Sequence, residues 1–531
     1  MKGSIGRVPT RRPWYSAQDL LQTGFEEGRD LGQPGQFPFT RGTAPGEQGL
    51  IRPLNAVYAG FSSPRSTNAR YRRLIELGAD ALAMAVDLPT QVGLDSDDEM
   101  AFGEVGRVGV PVSSLRDMET IFDGIDLSCL RSVGMLGNAI GPIALAMFVA
   151  LGEQQGLRPS QYVVELQNDV LKEYVSRGTQ ILPLTAGVRL CTDVVAWCAD
   201  HAPGWRPITV CSNHIEAAGA DAPVAQAMAV ANALCYIDRL AAGGYQPARI
   251  LPKISLFINE RADFYAAIAN FRACRRLWAR LISERYGIDP ADREALALRL
   301  TSYAHGGETR AEAQNNIVRN ALMALAAHLG GAEFLNIASM DEALNLPSGE
   351  SAALAVRTNQ VLSHELHIHD VSDPLGGSFF IETLTTQVED AMRETLATIQ
   401  DGGGAIAATG SGLYLELIAD GADRRRRARE RGEVPKVGVD LYVDKSAAEP
   451  ASTFTQATDA ADEHLAGLAR LRESRDDALV RASLKRVEDA VRGDENVVPS
   501  VIEAVKAYAT VGEICEVWRQ VLGEWRPDGT F

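Results

Sequence analysis

Polar side chains at the end of one apolar run are the first candidates for chemistry in this sequence. The run is Gln161-Tyr-Val-Val-Glu-Leu-Gln-Asn-Asp169, and it continues as Val-Leu-Lys-Glu-Tyr-Val-Ser-Arg177-Gly-Thr179. This pattern predicts a β-branched strand that ends in two amides and a carboxylate and then turns into a helix. Asp169 could serve only as the N-cap of that helix. Gln167 and Asn168 have no such local role, so a polar site is expected at this strand end.

Short apolar runs with helical segments between them must supply the elements that position such residues. The runs are 56–61, 81–88, 132–138, 162–166, 208–212, 250–258, 298–303 and 333–337. Strands that alternate with helices in this number predict an α/β fold, a (β/α)8 TIM barrel. Several runs end in a polar residue: Asp87, Asn138, Gln167, Asn213 with His214, Asn259, His305 and Asn336. Since active sites of such barrels lie at the carboxyl ends of the strands, these side chains are expected to line one.

Smaller segments flank the predicted barrel, which occupies residues 37–434. Residues 1–36 precede it as an N-terminal extension, and residues 435–459 lack periodicity, which is typical of a linker. Residues 460–531 are expected to form a helical C-terminal extension of two or three helices. This extension is expected to bind a partner or to cap the barrel.

Composition and charge narrow the classes of partner. The 531 residues are 46 % hydrophobic, enough for a large core, and the formal charge of −17 opposes nucleic acid and anionic membrane surfaces. Seven cysteines form no CxxC pair, which is typical of reduced thiols in a cytoplasmic protein without structural zinc. The start lacks the apolar core of a signal peptide, and the most apolar stretch, 140–151, is too short to span a bilayer. A cytoplasmic protein is therefore expected.

Seven motifs follow one another between residues 37 and 385. They are Phe39-Thr-Arg-Gly42, Tyr58-Ala-Gly-Phe61, Asp87-Leu-Pro-Thr-Gln91 with Asp95-Ser-Asp97, Gln167-Asn-Asp-Val-Leu-Lys-Glu-Tyr174, Arg272-Ala-Cys-Arg-Arg-Leu-Trp-Ala-Arg280, Asp341-Glu-Ala343 and Asp373-Pro-Leu-Gly-Gly-Ser378. In identity and order they resemble the large, barrel-bearing subunit of the adenosylcobalamin-dependent acyl-CoA mutases, of which methylmalonyl-CoA mutase is one. The resemblance implies an isomerase that rearranges the carbon skeleton of an acyl thioester by radical chemistry.

The resemblance also assigns roles around the reacting carbons. Tyr58 would lie beside them and beside the adenosyl group, with a core aromatic as the alternative. His214 matches a histidine that hydrogen-bonds the thioester carbonyl, with a structural histidine as the alternative. Arg177 matches the residue that binds the free carboxylate of methylmalonyl or succinyl groups, and Gln167 would hydrogen-bond the acyl region. Relatives that act on monocarboxylic groups carry Gln and an apolar residue in place of this Arg and Tyr, so a dicarboxylic substrate is implied.

Three further positions resemble the binding site of the adenosyl group. Glu342 matches a carboxylate that accepts hydrogen bonds from the ribose hydroxyls, with a helix-starting acidic pair as the alternative. Gly60 would let the backbone approach the adenosyl group closely. Asn138 and Ala139 resemble a strand-end pair that lines the same pocket.

The sequence departs from the family at positions that would bind the coenzyme A portion of the substrate. In relatives, three motifs bind the nucleotide and pyrophosphate of coenzyme A: a Thr-Met-Tyr, an Arg-Pro-Trp or similar, and a Thr-x-Arg-Gln. Residues 43–57 of this sequence lack these motifs and leave Arg52 alone to bind phosphates. Glu165 replaces a Thr that lines the pantetheine site in relatives, and its charge would repel an anionic carrier group such as coenzyme A. The family's Ser-Gln-Thr-Ser-Gly-Trp reads Ser302-Tyr-Ala-His-Gly-Gly307. A coenzyme A thioester is expected, with a carrier-protein-bound acyl group or a free amino or carboxylic acid as alternatives.

Mutases of this family also need a cobalamin domain, whose Asp-x-His-x-x-Gly motif supplies a histidine to cobalt. Asp462-Glu-His-Leu-Ala-Gly467 spells this motif, but it lies inside a helical pattern with no preceding strand. Too few residues follow it for a doubly wound domain. We therefore expect no metal ligand in this chain, and a separate small cobalamin-binding subunit as its partner in a hetero-oligomer.

Three other patterns are weaker signals. His364, His367 and His369 could bind a metal, but no carboxylate cluster accompanies them. The glycine-rich residues 402–412 lack the Lys of a phosphate loop, and the basic run 424–427 is typical of a solvated helix face. As a function of another class, the chain could be a non-catalytic scaffold or regulatory subunit, although Tyr58, Arg177 and His214 at separate strand ends argue for catalysis.

Overall fold

The computed structural model of the protein describes residues 5–260, 262–444 and 460–525. Most of the predicted linker, residues 445–459, and the outer ends of the two predicted extensions lie outside the described residues. The boundaries of the predicted segments stay predictions.

Eight parallel strands form the nearly closed sheet of a (β/α)8 barrel, in the spatial order β4-β3-β2-β1-β8-β7-β6-β5. The strands are β1 (Leu54–Ala59), β2 (Ala81–Met84), β3 (Ser132–Leu136), β4 (Val164–Gln167), β5 (Ile208–Cys211), β6 (Ile254–Glu260), β7 (Arg299–Ala304) and β8 (Phe334–Ile337). Each strand overlaps one of the predicted runs, so the predicted fold class is confirmed. The strands are short and apolar because helices cover a parallel sheet and bury it.

Helices alternate with these strands and continue past the last one. They are α1 (Ala17–Leu21), α2 (Pro64–Glu76), α3 (Leu88–Gln91), α4 (Leu115–Ile121), α5 (Gly141–Gln154), α6 (Leu184–His201), α7 (Ser212–Ala218), α8 (Ala222–Ala242), α9 (Pro247–Ile250), α10 (Phe264–Tyr286), α11 (Arg293–Leu296), α12 (Asn315–Gly330), α13 (Gly349–His364), α14 (Phe379–Asp401), α15 (Gly404–Gly410), α16 (Leu413–Glu430), α17 (Ala460–Ser474), α18 (Asp477–Arg492), α19 (Val498–Lys506) and α20 (Val511–Leu522). None of these described helices is long and apolar enough to cross a membrane.

Local capping explains where several helices begin. Ser63, Asp263 and Ser378 each accept a hydrogen bond from a backbone N–H three residues further on, at the starts of α2, α10 and α14. Short helical turns of other types fill the connections: Gly46–Gln48, Glu99–Ala101, Leu127–Cys129, Pro159–Gln161 and Leu251–Lys253 are 3-10 turns, and Glu27–Leu31 and Glu173–Arg177 are π-helical turns.

Internal packing divides the chain into two compact units. The β1–β4 unit contains residues 56–209 and 238–245 together with the described tail, 460–525. The β5–β8 unit contains residues 5–55, 210–237 and 246–444, apart from the undescribed position 261.

Four tail helices, α17 to α20, pack on the β1–β4 unit, where the sequence predicted two or three. Asp95 anchors them, because its carboxylate accepts hydrogen bonds from the Thr510 hydroxyl at 2.5 Å, from Gly512 N at 2.8 Å and from Arg472 Nη2 at 2.8 Å. Helix α19 packs against α5, whose residues 141–152 are all buried. The most apolar stretch of the sequence is therefore a core helix that is covered on both sides.

Buried arginines of α10 hold the β5–β8 unit together. Arg272 forms ion pairs with Asp373 and Glu382, and all three side chains are nearly inaccessible to solvent. Arg275 donates to the Phe39 carbonyl oxygen at 3.0 Å, and burial lowers the pKa of its guanidinium to about 10. The Arg272 and Asp373 motifs thus stabilise the fold, since paired buried charges become costly when one partner is removed.

Two local expectations from the sequence are wrong. No helix follows β4 directly, because residues 173–177 form a single π-helical turn and α6 begins only after Pro183, so Asp169 caps no helix. The arginine run is only half solvated. Arg424 pairs with Asp221 at 2.7 Å, and Arg425 donates to backbone carbonyl oxygens at the end of α7, whereas the next two arginines are exposed.

Candidate active site

The amide of Gln167 lies at the carboxyl end of β4 with its orientation determined by its neighbours. Its Oε1 accepts hydrogen bonds from Asn138 Nδ2 at 3.2 Å and from Lys172 Nζ at 3.1 Å. An ammonium group can only donate, so the atom facing Lys172 must be the oxygen. Gln167 Nε2 makes no hydrogen bond to the described residues and is free to donate to a ligand.

Asn138 supplies an acceptor beside this donor. It follows β3 directly, it is 7 % exposed, and its Oδ1 is buried without a hydrogen-bond partner among the described residues. Ala139, which is also buried, comes next in the chain and leads into α5. A buried acceptor without a donor is costly unless a ligand or water satisfies it. The ends of β3 and β4 therefore present one free donor and one free acceptor.

Arg177 ends the π-helical turn after β4 and is half-buried. Its Nη2 donates to Gln91 Oε1 at 2.8 Å, and Gln91 Nε2 in turn donates to the Val86 carbonyl oxygen at 2.7 Å. The other N–H groups of the guanidinium have no hydrogen-bond or ion-pair partner among the described residues. An arginine oriented by one neutral partner, with the rest of its donor fork free, is suited to bind a carboxylate.

Tyr58 and Gly60 occupy the end of β1. Tyr58 pairs in register with Ala83 of β2, and the residue is 38 % exposed, so the alternative of a fully buried core aromatic does not describe it. A Cβ at Gly60 would lie 1.8 Å from the Ala85 carbonyl oxygen. Glycine is therefore required here by the close approach of the protein's own backbone, whatever ligand binds nearby.

His214 lies in α7 rather than at the end of a strand. Helix α7 starts directly after β5, and His214 is its third residue and half-buried. Arg425 of α16 donates to the carbonyl oxygens of Gly219 at 2.7 Å and Ala220 at 2.8 Å, just past the end of this helix. The histidine therefore lies in the first turn of a helix that begins at the strand end.

Glu342 lies after β8, and its carboxylate accepts a hydrogen bond from the Tyr303 hydroxyl of β7. Its side chain is accessible to solvent, yet enough protein surrounds the carboxyl group that burial raises its pKa. The backbone of Ser339 also hydrogen-bonds the carboxylate, and this contact partly opposes the rise in its pKa. The residue therefore fits the role of accepting a ribose hydroxyl.

His305, which was expected to line the site but was given no particular role, lies directly after β7. His305 Nε2 lies 2.6 Å from Asn259 Nδ2, and its Nδ1 lies 3.1 Å from a carboxylate oxygen of Glu308. Other unassigned residues are Lys172 and Gln91, which orient Gln167 and Arg177. Both stood in motifs already noted, so their position within a shared motif was the available signal.

The three histidines of residues 364–369 do not form a metal site. His364 and His367 are exposed, whereas His369 is buried and lies 2.9 Å from Nδ1 of His328, whose pKa burial lowers to about 3. Across the described residues, no three His, Cys, Asp or Glu side chains lie close enough together to hold a metal ion. His464, of the sequence that resembles the cobalt-binding motif, lies in α17, as the helical pattern predicted. Its side chain is buried, and its Nε2 lies 3.3 Å from the Ser113 hydroxyl.

A (β/α)8 barrel that carries amide, guanidinium and carboxylate groups at its strand ends is typical of an enzyme. The sequence pattern of the methylmalonyl-CoA mutase family matches residues 9–524. The chain is 34 % identical over 531 residues to the 2-hydroxyisobutanoyl-CoA mutase large subunit of Aquincola tertiaricarbonis, covering 99 % of this chain and 93 % of that protein. It is 33 % identical over 506 residues to methylmalonyl-CoA mutase of Escherichia coli, covering 95 % of this chain and 70 % of that protein. Human mitochondrial methylmalonyl-CoA mutase is 34 % identical over 517 residues, which cover 97 % of this chain and 68 % of that enzyme.

The chain belongs to the methylmalonyl-CoA mutase family. It is accordingly a mutase, an isomerase of the intramolecular transferase class, as the sequence motifs predicted.

Proposed function

We propose that the chain is the large subunit of an adenosylcobalamin-dependent mutase that rearranges a dicarboxylic acyl thioester of the methylmalonyl kind. Arg177 carries this proposal, because its guanidinium is held by Gln91 while its other donors have no partner among the described residues. Such a group binds a carboxylate in preference to a neutral acyl chain.

The remaining chain residues would bind and orient the acyl group. Gln167 Nε2 would donate to the thioester carbonyl, since Lys172 and Asn138 hold the amide oxygen on the other side. His214 would donate a second hydrogen bond to that carbonyl and steady the migrating group. Tyr58 would shield the reacting carbons from solvent, as closed sites must when reactive intermediates form.

Glu342 supports the proposed cofactor. Its solvent-accessible carboxylate is suited to accept a hydrogen bond from a ribose hydroxyl, and Tyr303 already orients it. When bound, adenosylcobalamin supplies the radical chemistry of the rearrangement. Gly60 and Ala139 would border the adenosyl group.

A separate small subunit would bind most of the cofactor. The residues that resemble a cobalt-binding motif are part of helix α17, and the side chain of His464 is buried there. His464 is therefore unsuited to be a cobalt ligand. One relative is itself named a large subunit, and this chain aligns with 93 % of its length but with about two thirds of the mitochondrial enzyme. We therefore propose a hetero-oligomer. The free thiols of all seven cysteines support a cytoplasmic location.

Few basic side chains stand where the family binds the nucleotide and pyrophosphate of coenzyme A. Arg52 is exposed and precedes β1, whereas Arg41 lies 3.4 Å from the Asp373 carboxylate and is partly neutralised by it. Glu165 lies 3.9 Å from the Arg206 guanidinium, so it repels anions less than the sequence suggested. We retain a coenzyme A thioester as the proposed substrate. A carrier-bound acyl group or a free acid is the second candidate, because Arg52 alone offers little positive charge for the phosphates of coenzyme A.

Reconstitution would test the proposal. The tagged chain, purified with its co-purifying cobalamin-binding subunit and supplied with adenosylcobalamin, should convert methylmalonyl-CoA to succinyl-CoA, measured by liquid chromatography. Isobutyryl-CoA, which lacks the carboxylate, should react far more slowly. Turnover of isobutyryl-CoA alone would refute the dicarboxylic assignment.

A non-catalytic subunit is the proposal's rival from another class. Light-sensitive radical signals in electron paramagnetic resonance spectra should appear when the reconstituted complex meets its substrate. Absence of both signal and product with methylmalonyl-CoA, with a carrier-bound methylmalonyl group and with the free acid would favour a scaffold.

A further inference from the structure

We propose that Lys172 is a positioning residue, which orients the amide of Gln167 and, through Glu173, holds the loop that carries Arg177. This inference rests on the proposed function for the meaning of Gln167 and Arg177, but its structural content is independent of any substrate. It assigns a role to a side chain that touches no ligand.

Lys172 is an unusual residue for its surroundings. Its side chain is fully buried, and it contacts only two acceptors among the described residues: Gln167 Oε1 at 3.1 Å and a carboxylate oxygen of Glu173. Burying an ammonium group is costly unless it is paired. A stable core would be reached more simply with an apolar residue here, so the charge needs a reason other than stability.

The amide of Gln167 supplies one reason. Glutamine side chains can present either their oxygen or their nitrogen to a neighbour, and the two arrangements often differ little in energy. A buried ammonium permits only one of them. Asn138 Nδ2 reinforces the same choice at 3.2 Å. The result is a fixed donor, Nε2, on the side away from Lys172.

The turn that carries Arg177 supplies the second reason. Glu173 accepts from Lys172 with one carboxylate oxygen and from the Thr179 hydroxyl with the other, and its side chain is fully buried. Its backbone carbonyl accepts from Gly178 N at 2.9 Å. Glu173 and Thr179 therefore bracket Arg177 from both sides. A single buried ion pair thus holds both a donor for the acyl carbonyl and the cation for the carboxylate.

Removing Lys172 alone would leave Glu173 buried and unpaired, which could unfold the turn. The neutral double variant Lys172→Met/Glu173→Gln avoids this, because a glutamine oxygen can still accept from Thr179. The control is Arg475→Met/Glu513→Gln, which neutralises a less buried ion pair of 2.5 Å in the tail of the same unit.

The first measurement needs no substrate. In a crystal structure of the Lys172→Met/Glu173→Gln variant, the side chain of Gln167 should leave its position beside Asn138 or occupy more than one rotamer. An unchanged, single conformation of Gln167 would overturn the proposal, whether or not the enzyme proves to be a mutase.

The second measurement is a mutant cycle on the reconstituted holoenzyme with methylmalonyl-CoA. The double variant and Gln167→Leu should each lower kcat/KM by about 10- to 100-fold. Their combination should cost clearly less than the product of the two losses, because both act on Gln167, while the part that acts through Arg177 remains. The Arg475→Met/Glu513→Gln control should keep kcat/KM within about twofold. Fully multiplicative losses would mean that Lys172 acts only on stability. Inactivity of the wild-type holoenzyme would instead refute the proposed function and leave the crystallographic result to decide this inference.

Discussion

Replacing Arg177 by glutamine should change which acyl group the enzyme prefers. Gln91 engages one N–H of the guanidinium at 2.8 Å, and the other donors are free to form a bidentate pair with a carboxylate. Glutamine keeps a neutral donor of similar reach but loses the charge and the second parallel hydrogen bond. The variant should therefore bind a dicarboxylic acyl group poorly and a monocarboxylic one normally.

The size of the effect follows from the exposure of Arg177. Charge-assisted hydrogen bonds contribute about 1.5–3 kcal/mol each, and a half-buried pair lies toward the lower end of that range. Two lost bonds, less what the glutamine amide regains, amount to about 2–3 kcal/mol, or about 30- to 150-fold in kcat/KM. The fold-loss in kcat/KM should not depend on the concentration of the small subunit, because Arg177 would bind the substrate and not the partner.

Steady-state rates of the reconstituted enzyme with methylmalonyl-CoA and with isobutyryl-CoA would measure this. Arg65→Gln is the matched control, since the side chain of Arg65 is 80 % exposed and, among the described residues, forms an ion pair only with the exposed Glu463. Its effect on both substrates should stay below about twofold. An equal loss for both substrates in Arg177→Gln, or an unchanged preference, would refute the assignment of Arg177 to the carboxylate.

Three further predictions concern stability. Arg272→Met removes the ion-pair partner of Glu382 and leaves Asp373 paired with Arg41 alone among the described residues, so it should destabilise the protein by about 3–5 kcal/mol in chemical denaturation. Simultaneous neutralisation of Glu382 should reverse much of this loss. Asp95→Ala removes the anchor of the tail, so amide hydrogen exchange in residues 460–525 should accelerate while exchange in β6 and β7 stays unchanged. Burial raises the pKa of Asp193 to about 6, so its proton stabilises the folded state at about pH 4 and this contribution is lost as the pH rises through 6. The melting temperature of Asp193→Asn relative to the wild type should therefore rise between about pH 4.5 and pH 7.5, by the equivalent of at most about 3 kcal/mol, and a constant difference would contradict the shifted pKa.

Much of the barrel could be predicted because strand and helix patterns are local. Each predicted run overlaps a strand, yet the ends were less accurate: residues 251–253 form a helical turn where the sixth run predicted strand, and Ser212 begins α7. A strand ends where its neighbours stop pairing with it or where the start of a helix takes over the chain. The residue pattern of a single segment contains neither kind of information.

The candidate site shows the same division between local and distant information. Asp87 was expected to line a site, but it is fully buried, caps α3 and accepts from the Thr90 hydroxyl and from Gly106 N. Gln167 was expected at a strand end and lies there, but the direction of its amide depends on contacts with Lys172 and Asn138 that the strand pattern does not specify. Polarity at a strand end predicts where a side chain lies and leaves open whether it serves a ligand or the fold.

The sequence by itself determined the eight-stranded barrel, the family and the identity of the residues that could do chemistry, because periodic burial and short motifs are written along the chain. Only the tertiary structure decided what each of those residues contacts. It separated Arg272 and Asp373, which hold the core, from Arg177 and Gln167, which keep free donors. The physical reason is that a charged or polar group acquires its role from the partners that satisfy it, and those partners come from distant parts of the chain.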